Sequence, residues 1–510
     1  MAPTILSRLL PVATLLLVGN GVASATTIYA DKSLGADCAT AYQPSTRACS
    51  GGTAAAYRTL ASALNAAQPG DIVDVRSGSF SERLVPPRSG TAAAPITVRA
   101  HSGETVTLTG ASDPQIFLQG RSYIVVEGLT IDNALGWARI ETSHYNRFTG
   151  NHFKRATADG TTGGFKFVQS NYNRVMNNTF EDGNDDLVIQ QSDHNVIEGN
   201  NFVAGRHSIF SLRCGNYNVI RGNYFYNETQ KIGEIYDCEG TSDAPVLLDA
   251  TKHNLVEGNR FAYTLASGQD YRYNGIQYSG QYGIVRRNDF YDNQGGALNF
   301  QVYSDEALYN YGHRVYNNTF VSNKCEAIAA SGSSTSARYT NNLVVNNLLY
   351  KNVGCGGENT QTGVANTTAV VLQNNAIVTT APPFVDEAAR NLALAAGSSL
   401  IDKGVFITKT AAAGSGQVLK VTDALWFYDG FGIAGEVGDE IQLQGQTERF
   451  RIVSANYSTN ELTLDRSATW TAGLGVHLAY AGSAPEAGAH EYGESTVRPS
   501  PPTNVQITTP

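Results

Sequence analysis
Charge is scarce in this 510-residue chain. Only 16% of its residues are Asp, Glu, Lys or Arg and the net charge is −9, so bulk electrostatics argue against a nucleic-acid partner. Helical periodicity is also missing: outside one short stretch, Tyr57 to Leu64, apolar residues do not recur at i, i+3 and i+4. There is no CxxC pair and no His-rich run, which removes the usual zinc and iron sites. Long apolar runs are confined to the beginning. Leu9 to Val22 is too short and too glycine-interrupted for a membrane span. With Arg8 before it and Ala23-Ser24-Ala25 after it, it reads as a secretory signal over residues 1–25. The mature protein is therefore expected to be secreted, extracellular or periplasmic, with no membrane span. Export permits disulfides. The cysteines fall into sequence-local pairs, Cys38 with Cys49, Cys214 with Cys238 and Cys325 with Cys355, though spacing alone leaves their connectivity open.

What the chain has in quantity is repetition. A β-branched run, then Gly or Asn, then Asn-x-Phe ends at Phe180, Phe202 and Phe225. The same phrase extends to anchors at Ile131, Phe153, Phe261, Phe290, Phe320, Val344 and Ile377. Asparagine stands two residues before each anchor after the first: Asn151, Asn178, Asn200, Asn223, Asn259, Asn288, Asn318, Asn342 and Asn375. An apolar strand returning roughly every 20–25 residues is one coil of a solenoid. No coil buries its apolar face alone, so coils stack and share a core. Stacked in-register strands put like on like, and an asparagine column becomes an amide ladder. The predicted fold is all-β, a parallel β-helix. Its right hand is expected from the handedness of parallel crossovers.

Taken in order, residues 26–404 read as the β-helix with an N-terminal cap, in which a short helix covers the first open coil. Lengthened coils after Phe225 carry many tyrosines, among them Tyr271 and Tyr273, which suit either a glycan groove or a half-buried sheet surface. Residues 405–480 alternate with period two, as in Arg449-Phe450-Arg451-Ile452-Val453, and predict a small antiparallel β-barrel or sandwich. Residues 481–493 close the solenoid; with Ser398 to Gly404 they resemble phrases at the end of secreted bacterial β-helix proteins, so the antiparallel module looks inserted. Residues 494–510 are Pro/Ser/Thr-rich and read as a disordered tail.

Counting onward from Phe180, Phe202 and Phe225 aligns Asp185 with His207, Asp186 with Ser208 and Lys231, and Gln191 with Arg213 and Tyr236. Coils lie ~4.8 Å apart, so Asp185, Asp186, Arg206, His207, Arg213 and Lys231 are expected on one face, with Asp159 less securely there. Acids, a histidine and cations on consecutive coils make a candidate acid–base cluster. The competing reading is that Asn-Asp-Asp is turn chemistry and the charges are merely solvated.

Asn184-Asp185-Asp186 through Gln191-Ser192, followed by Leu212-Arg213-Cys214-Gly215-Asn216, resembles the chondroitinase B and alginate lyase family of β-helix polysaccharide lyases. That resemblance implies calcium on Asn184 and Asp186, Arg213 on the substrate carboxylate, and cleavage of an acidic, uronate-containing polysaccharide by β-elimination. Gln191 stands where the family's lysine base should be and Cys214 where its histidine should be. The base would then come from His207, Lys231 or Tyr236, with Asp185 alongside. Arg206, Tyr271, Arg272 and Tyr273 are expected to bind substrate, and the protein is expected to be a monomer. Asp185-Asp186 with Gly205-Arg206-His207-Ser208-Ile209 is also similar to the Asp-Asp and Gly-His-Gly motifs of polygalacturonases, which implies an inverting glycoside hydrolase as the alternative. A non-catalytic glycan-binding solenoid is the third reading.

Overall fold
In a computed structural model, the chain is described over residues 25–110, 112–157, 164–226, 231–236, 251–264, 274–302, 310–332, 339–354 and 370–493. Parallel strands stack coil upon coil in a 15-stranded and a 19-stranded sheet, with a 3-stranded sheet beside them. From Asn151 onward a short strand of the first sheet in each described coil, such as Val196–Glu198, turns at an asparagine into the second sheet. There Asn201–Arg213 runs on round a further corner.

Inside, like stacks on like. Phe153, Phe180, Phe202, Phe225, Phe261, Phe290 and Phe320 form one column, with neighbouring ring centroids 4.6–4.9 Å apart. At the corner just before them lies the asparagine ladder. The Nδ2 of Asn178 donates to Asn200 Oδ1 at 3.0 Å, and Asn200 donates likewise to Asn223. Each Oδ1 also accepts a backbone N–H, as from Asn178 to Asn200 at 2.9 Å, so the turn leaves no buried donor unpaired. One expectation needs correction. After Asn318 the ladder passes through Asn347, and Phe320 is followed by Leu349, not by Val344. Val344 belongs to the other sheet, opposite Val315, and Asn342 accepts from His313 in a separate column.

The helix Leu60–Ala66, N-capped by Thr59, buries Leu60, Ala63 and Leu64 against the first strands. Cys38 and Cys49 are disulfide-bonded beside it. Cys214 and Cys325 each take part in a separate disulfide.

Near the C-terminus six antiparallel strands between Thr408 and Leu478 form a separate sheet. Trp426, Phe427, Tyr428 and Phe431 from this module pack on Val196, Val219, Leu255, Ile284 and Tyr316 of the 15-stranded sheet's outer face. Charges are buried with them: Arg286 pairs with Asp439 and Glu257, and Glu436 receives both Arg174 and Arg221. The ends of the module come back together, where Gly404 N–H donates to Pro485 O at 2.7 Å and Asp402 accepts Ser483 N–H at 2.9 Å.

Candidate functional site
The cluster is built at the second corner of coils 180 and 202. Asp182 and Ala204 take positive φ, 58° and 57°, and a glycine follows each. Gly183 has no alternative, because a Cβ there would lie 2.1 Å from Asp186 Oδ1 and 2.7 Å from the Trp137 ring. The strands then lose register. Gly183 pairs with Gly205, but Asp185 pairs with Ser208, so Arg206 and His207 together oppose Asn184. That is a β-bulge, the device that re-aims a side chain out of a sheet. His207 is the residue re-aimed, and its side chain is 49% exposed.

This shift corrects the alignment drawn from the anchors. The outward columns along the strand are Asp185, Ser208 and Lys231, then Val188, Ser211 and Glu234, then Gln190, Arg213 and Tyr236. Asp186 falls into the inward column of Ile209 and Ile232 and is wholly buried.

His207 Nδ1 lies 2.7 Å from Asp185 Oδ1, and Ser208 Oγ donates to the same oxygen at 3.0 Å. Burial opposes the Asp185 charge, but the hydrogen bonds and charge of His207, the Ser208 hydroxyl and the field of Arg213 outweigh it and hold the carboxyl below its ordinary range. An ionised carboxylate only accepts, so the imidazole proton sits on Nδ1 and neutral His207 keeps its lone pair on Nε2. The hydrogen bond to Asp185 raises the His207 pKa against the effect of burial.

One coil on, Lys231 is salt-bridged to Glu234, which is 5% exposed and accepts from Ser211 Oγ at 3.5 Å. Ser211 Oγ in turn accepts Arg213 Nε at 3.3 Å. The Arg213 guanidinium lies 4.8 Å over the Tyr236 ring and has no carboxylate partner among the described residues. Asp185, His207, Lys231, Glu234, Arg213 and Tyr236 thus form one patch. The sequence reading overlooked Glu234. Its signal was the alternation of strand Lys231–Tyr236, which sets Glu234 and Tyr236 outward around inward Ile235.

Arg206 takes a scaffold role. It binds the carbonyls of Ala156 and Gly183 and lies 3.9 Å from Asp182, fastening the bulge. Tyr271, Arg272, Tyr273 and Asp159 lie outside the described residues. Calcium was expected on Asn184 and Asp186. Neither Asp186 oxygen closes a hydrogen bond, and its surroundings are Gly183, Gly205, Ile209 and Trp137. Burial, then the charge of Asp185, drives its pKa well upward. Calcium takes six to eight oxygens, and a carboxyl turned inward among Gly183, Gly205, Ile209 and Trp137 does not fit that demand. No group of three or more His, Cys, Asp or Glu suited to a metal occurs among the described residues.

A parallel solenoid with a polar cluster on one outer face defines the class: a β-helix protein. The family model for the right handed beta helix region matches residues 97–261 and 168–377, together more than half of the chain, and the chain belongs to that family. It is 28% identical over 325 residues to the uncharacterized protein YwoF of Bacillus subtilis (strain 168), a match covering 58% of this chain and 64% of that one. Among solved structures it is similar to pectate lyase Pel9A, at 13% identity and a TM-score of 0.46 over 92% of this chain and 97% of that one. It is similar also to an alginate lyase from Paenibacillus sp. str. FPU-7, at 17% identity and a TM-score of 0.38 over 69% and 99%. Similarity at these levels carries no argument about activity. No helix of the described residues is long and apolar enough to cross a membrane.

Proposed function
We propose that this is a secreted carbohydrate-active protein that cleaves a uronate-containing polysaccharide by β-elimination. The observation that carries the reading is the Asp185–His207 pair, an imidazole turned outward by a bulge and oriented at 2.7 Å by a buried carboxylate. β-Elimination needs a base at the C5 proton of the uronate and a cation on its carboxylate, where negative charge develops. His207 Nε2 is the base. Arg213, braced on Tyr236 and with no carboxylate partner among the described residues, neutralises the carboxylate. The Asp185–Asp186 form of the hydrolytic alternative loses support, because an inverting hydrolase needs both carboxyls facing the same sugar and Asp186 faces inward.

The test is incubation with a panel of uronate polymers while following ultraviolet absorbance from unsaturated chain ends. The wild type is expected to generate them with or without a calcium chelator, and His207→Ala to lose 10²–10⁴-fold, the usual range for a general base. Saturated reducing ends would move the reading to hydrolysis. Binding without turnover, unchanged by His207→Ala, would make the protein a glycan-binding solenoid.

A further inference from the structure
We propose that Lys231 is the general acid of this elimination and that Glu234 is the positioning residue that holds it. The inference rests on the β-elimination reading. Removing the C5 proton is only half of the chemistry, because the C4–O bond must break and the departing oxygen is a poor leaving group unless protonated. Lys231 sits one coil from the base: its Cα partner is Ser208, the residue after His207. Its field is felt at the His207 imidazole, as is that of Glu234. The Lys231 side chain is 14% exposed and that of Glu234 6%, so the pair lies in the wall of the site. An ammonium has three N–H donors and no acceptor. The salt bridge to Glu234 fixes the direction of the nitrogen. Glu234 is fixed in turn by Ser211, whose hydroxyl also receives Arg213. The carboxylate-binding cation and the acid therefore share one framework.

The balance is complete without a further reactant. The C5–H proton goes to His207 Nε2, the C–H electron pair forms the C4–C5 double bond, the C4–O bond breaks, and a Lys231 proton goes to the leaving oxygen. Water then returns the two residues to their starting states.

The discriminating experiment compares the natural polymer with a uronate carrying nitrophenolate at O4, a leaving group that departs without a proton. Lys231→Ala and Lys231→Arg are each expected to lose at least 10²-fold in kcat on the polymer and less than tenfold on the aryl ether. Arginine keeps the salt bridge and is too weak an acid, so Lys231→Arg separates acid loss from misfolding. Glu234→Gln is expected to lower kcat on the polymer with KM little changed, and again to spare the aryl ether. His207→Ala should lose activity on both substrates. Equal losses on both substrates for the Lys231 variants, or full polymer activity in Glu234→Gln, would overturn the assignment and leave the elimination reading standing. A wild type that forms unsaturated ends from neither substrate would overturn both.

Discussion

The docking of the antiparallel module on the solenoid makes a quantitative prediction. Asp439 accepts two hydrogen bonds from Arg286, at 2.6 and 2.5 Å, and one from the Tyr428 amide at 2.8 Å. The Arg286 side chain is 1% exposed, so Asp439→Ala strands a guanidinium that water cannot reach. Two charge-assisted bonds at about 1.5–3 kcal/mol each are lost. Glu257 still accepts Nε of Arg286 at 2.8 Å and moderates the damage. The expected cost is therefore about 3–5 kcal/mol, the range for breaking a buried pair from one side. The assay is urea unfolding followed by tryptophan fluorescence, since Trp426 and Trp470 lie in the module and Trp137 reports on the solenoid. Replacing both partners, Arg286→Met with Asp439→Leu, should recover most of the loss, because apolar replacements of a buried pair are often neutral. Glu257 retains Arg221 and Arg287 as neighbours in that variant. A loss below about 1 kcal/mol in Asp439→Ala would refute the reasoning and mean that the interface admits water.

Other predictions concern the ladder, the site and the closing segment. Asn200→Ala removes the acceptor of Asn178 N–H and Nδ2 and the donor to Val175 O, all buried, and should cost at least about 3 kcal/mol in thermal or urea melts. Asp186→Leu should be neutral or stabilising and leave turnover intact, since Asp186 stands in the isoleucine column; a loss of activity restored by calcium would refute this. The pH–rate profile should rise above the ordinary histidine value of 6.5, because Asp185 favours the protonated imidazole, and Asp185→Asn should move that rise to lower pH. Burial, then Glu491, pushes the Glu486 carboxyl up from 4.5 to about 9. The folded state therefore holds a proton that the unfolded state releases. This stabilisation is complete below 4.5 and is lost as pH climbs to about 9, so Glu486→Gln should flatten the fall in melting temperature across that window.

The solenoid was legible because stacking repeats chemistry. A side chain that solves a turn in one coil solves it in the next, so Asn-x-Phe could be read straight off the chain. The misplacement at Val344 shows the limit of that logic. The stretch Asn342-Leu-Val-Val-Asn346-Asn347-Leu348-Leu349 holds asparagines of three different columns, each near an apolar run, and pattern alone does not say which column each joins. The antiparallel module was legible from its period-two alternation. The surface on which it docks was not, because Glu198, Arg221, Glu257 and Arg286 form one charged column that reads as solvated until the module covers it.

The candidate site was harder to read for a more specific reason. Counting from an anchor assumes that every coil spends the same number of residues on its corner. Coil 202 spends one more than coil 180, and that single residue decides which acid faces the solvent side. Without the bulge, Asp186 would have stood over Ser208 and Lys231, and the Asp-Asp resemblances would have placed a carboxylate pair in the groove. With it, Asp185 takes the outer column and His207 is pushed clear of the sheet. Asp186 drops among the isoleucines, where only the absence of a Cβ at Gly183 leaves it room. Gly183 and Gly205 pair with each other, each three residues past its anchor, so the extra residue lies beyond them. Aligning coils on those glycines therefore gives the same register as aligning on the phenylalanines, and the extra residue stays hidden in both. A bulge at a corner is hard to see in hydrophobic periodicity, since each short flanking stretch keeps its own pattern and only the phase between them shifts. What it leaves is a side chain with no counterpart in the neighbouring coil, and in this chain that side chain is the imidazole on which the proposed chemistry depends.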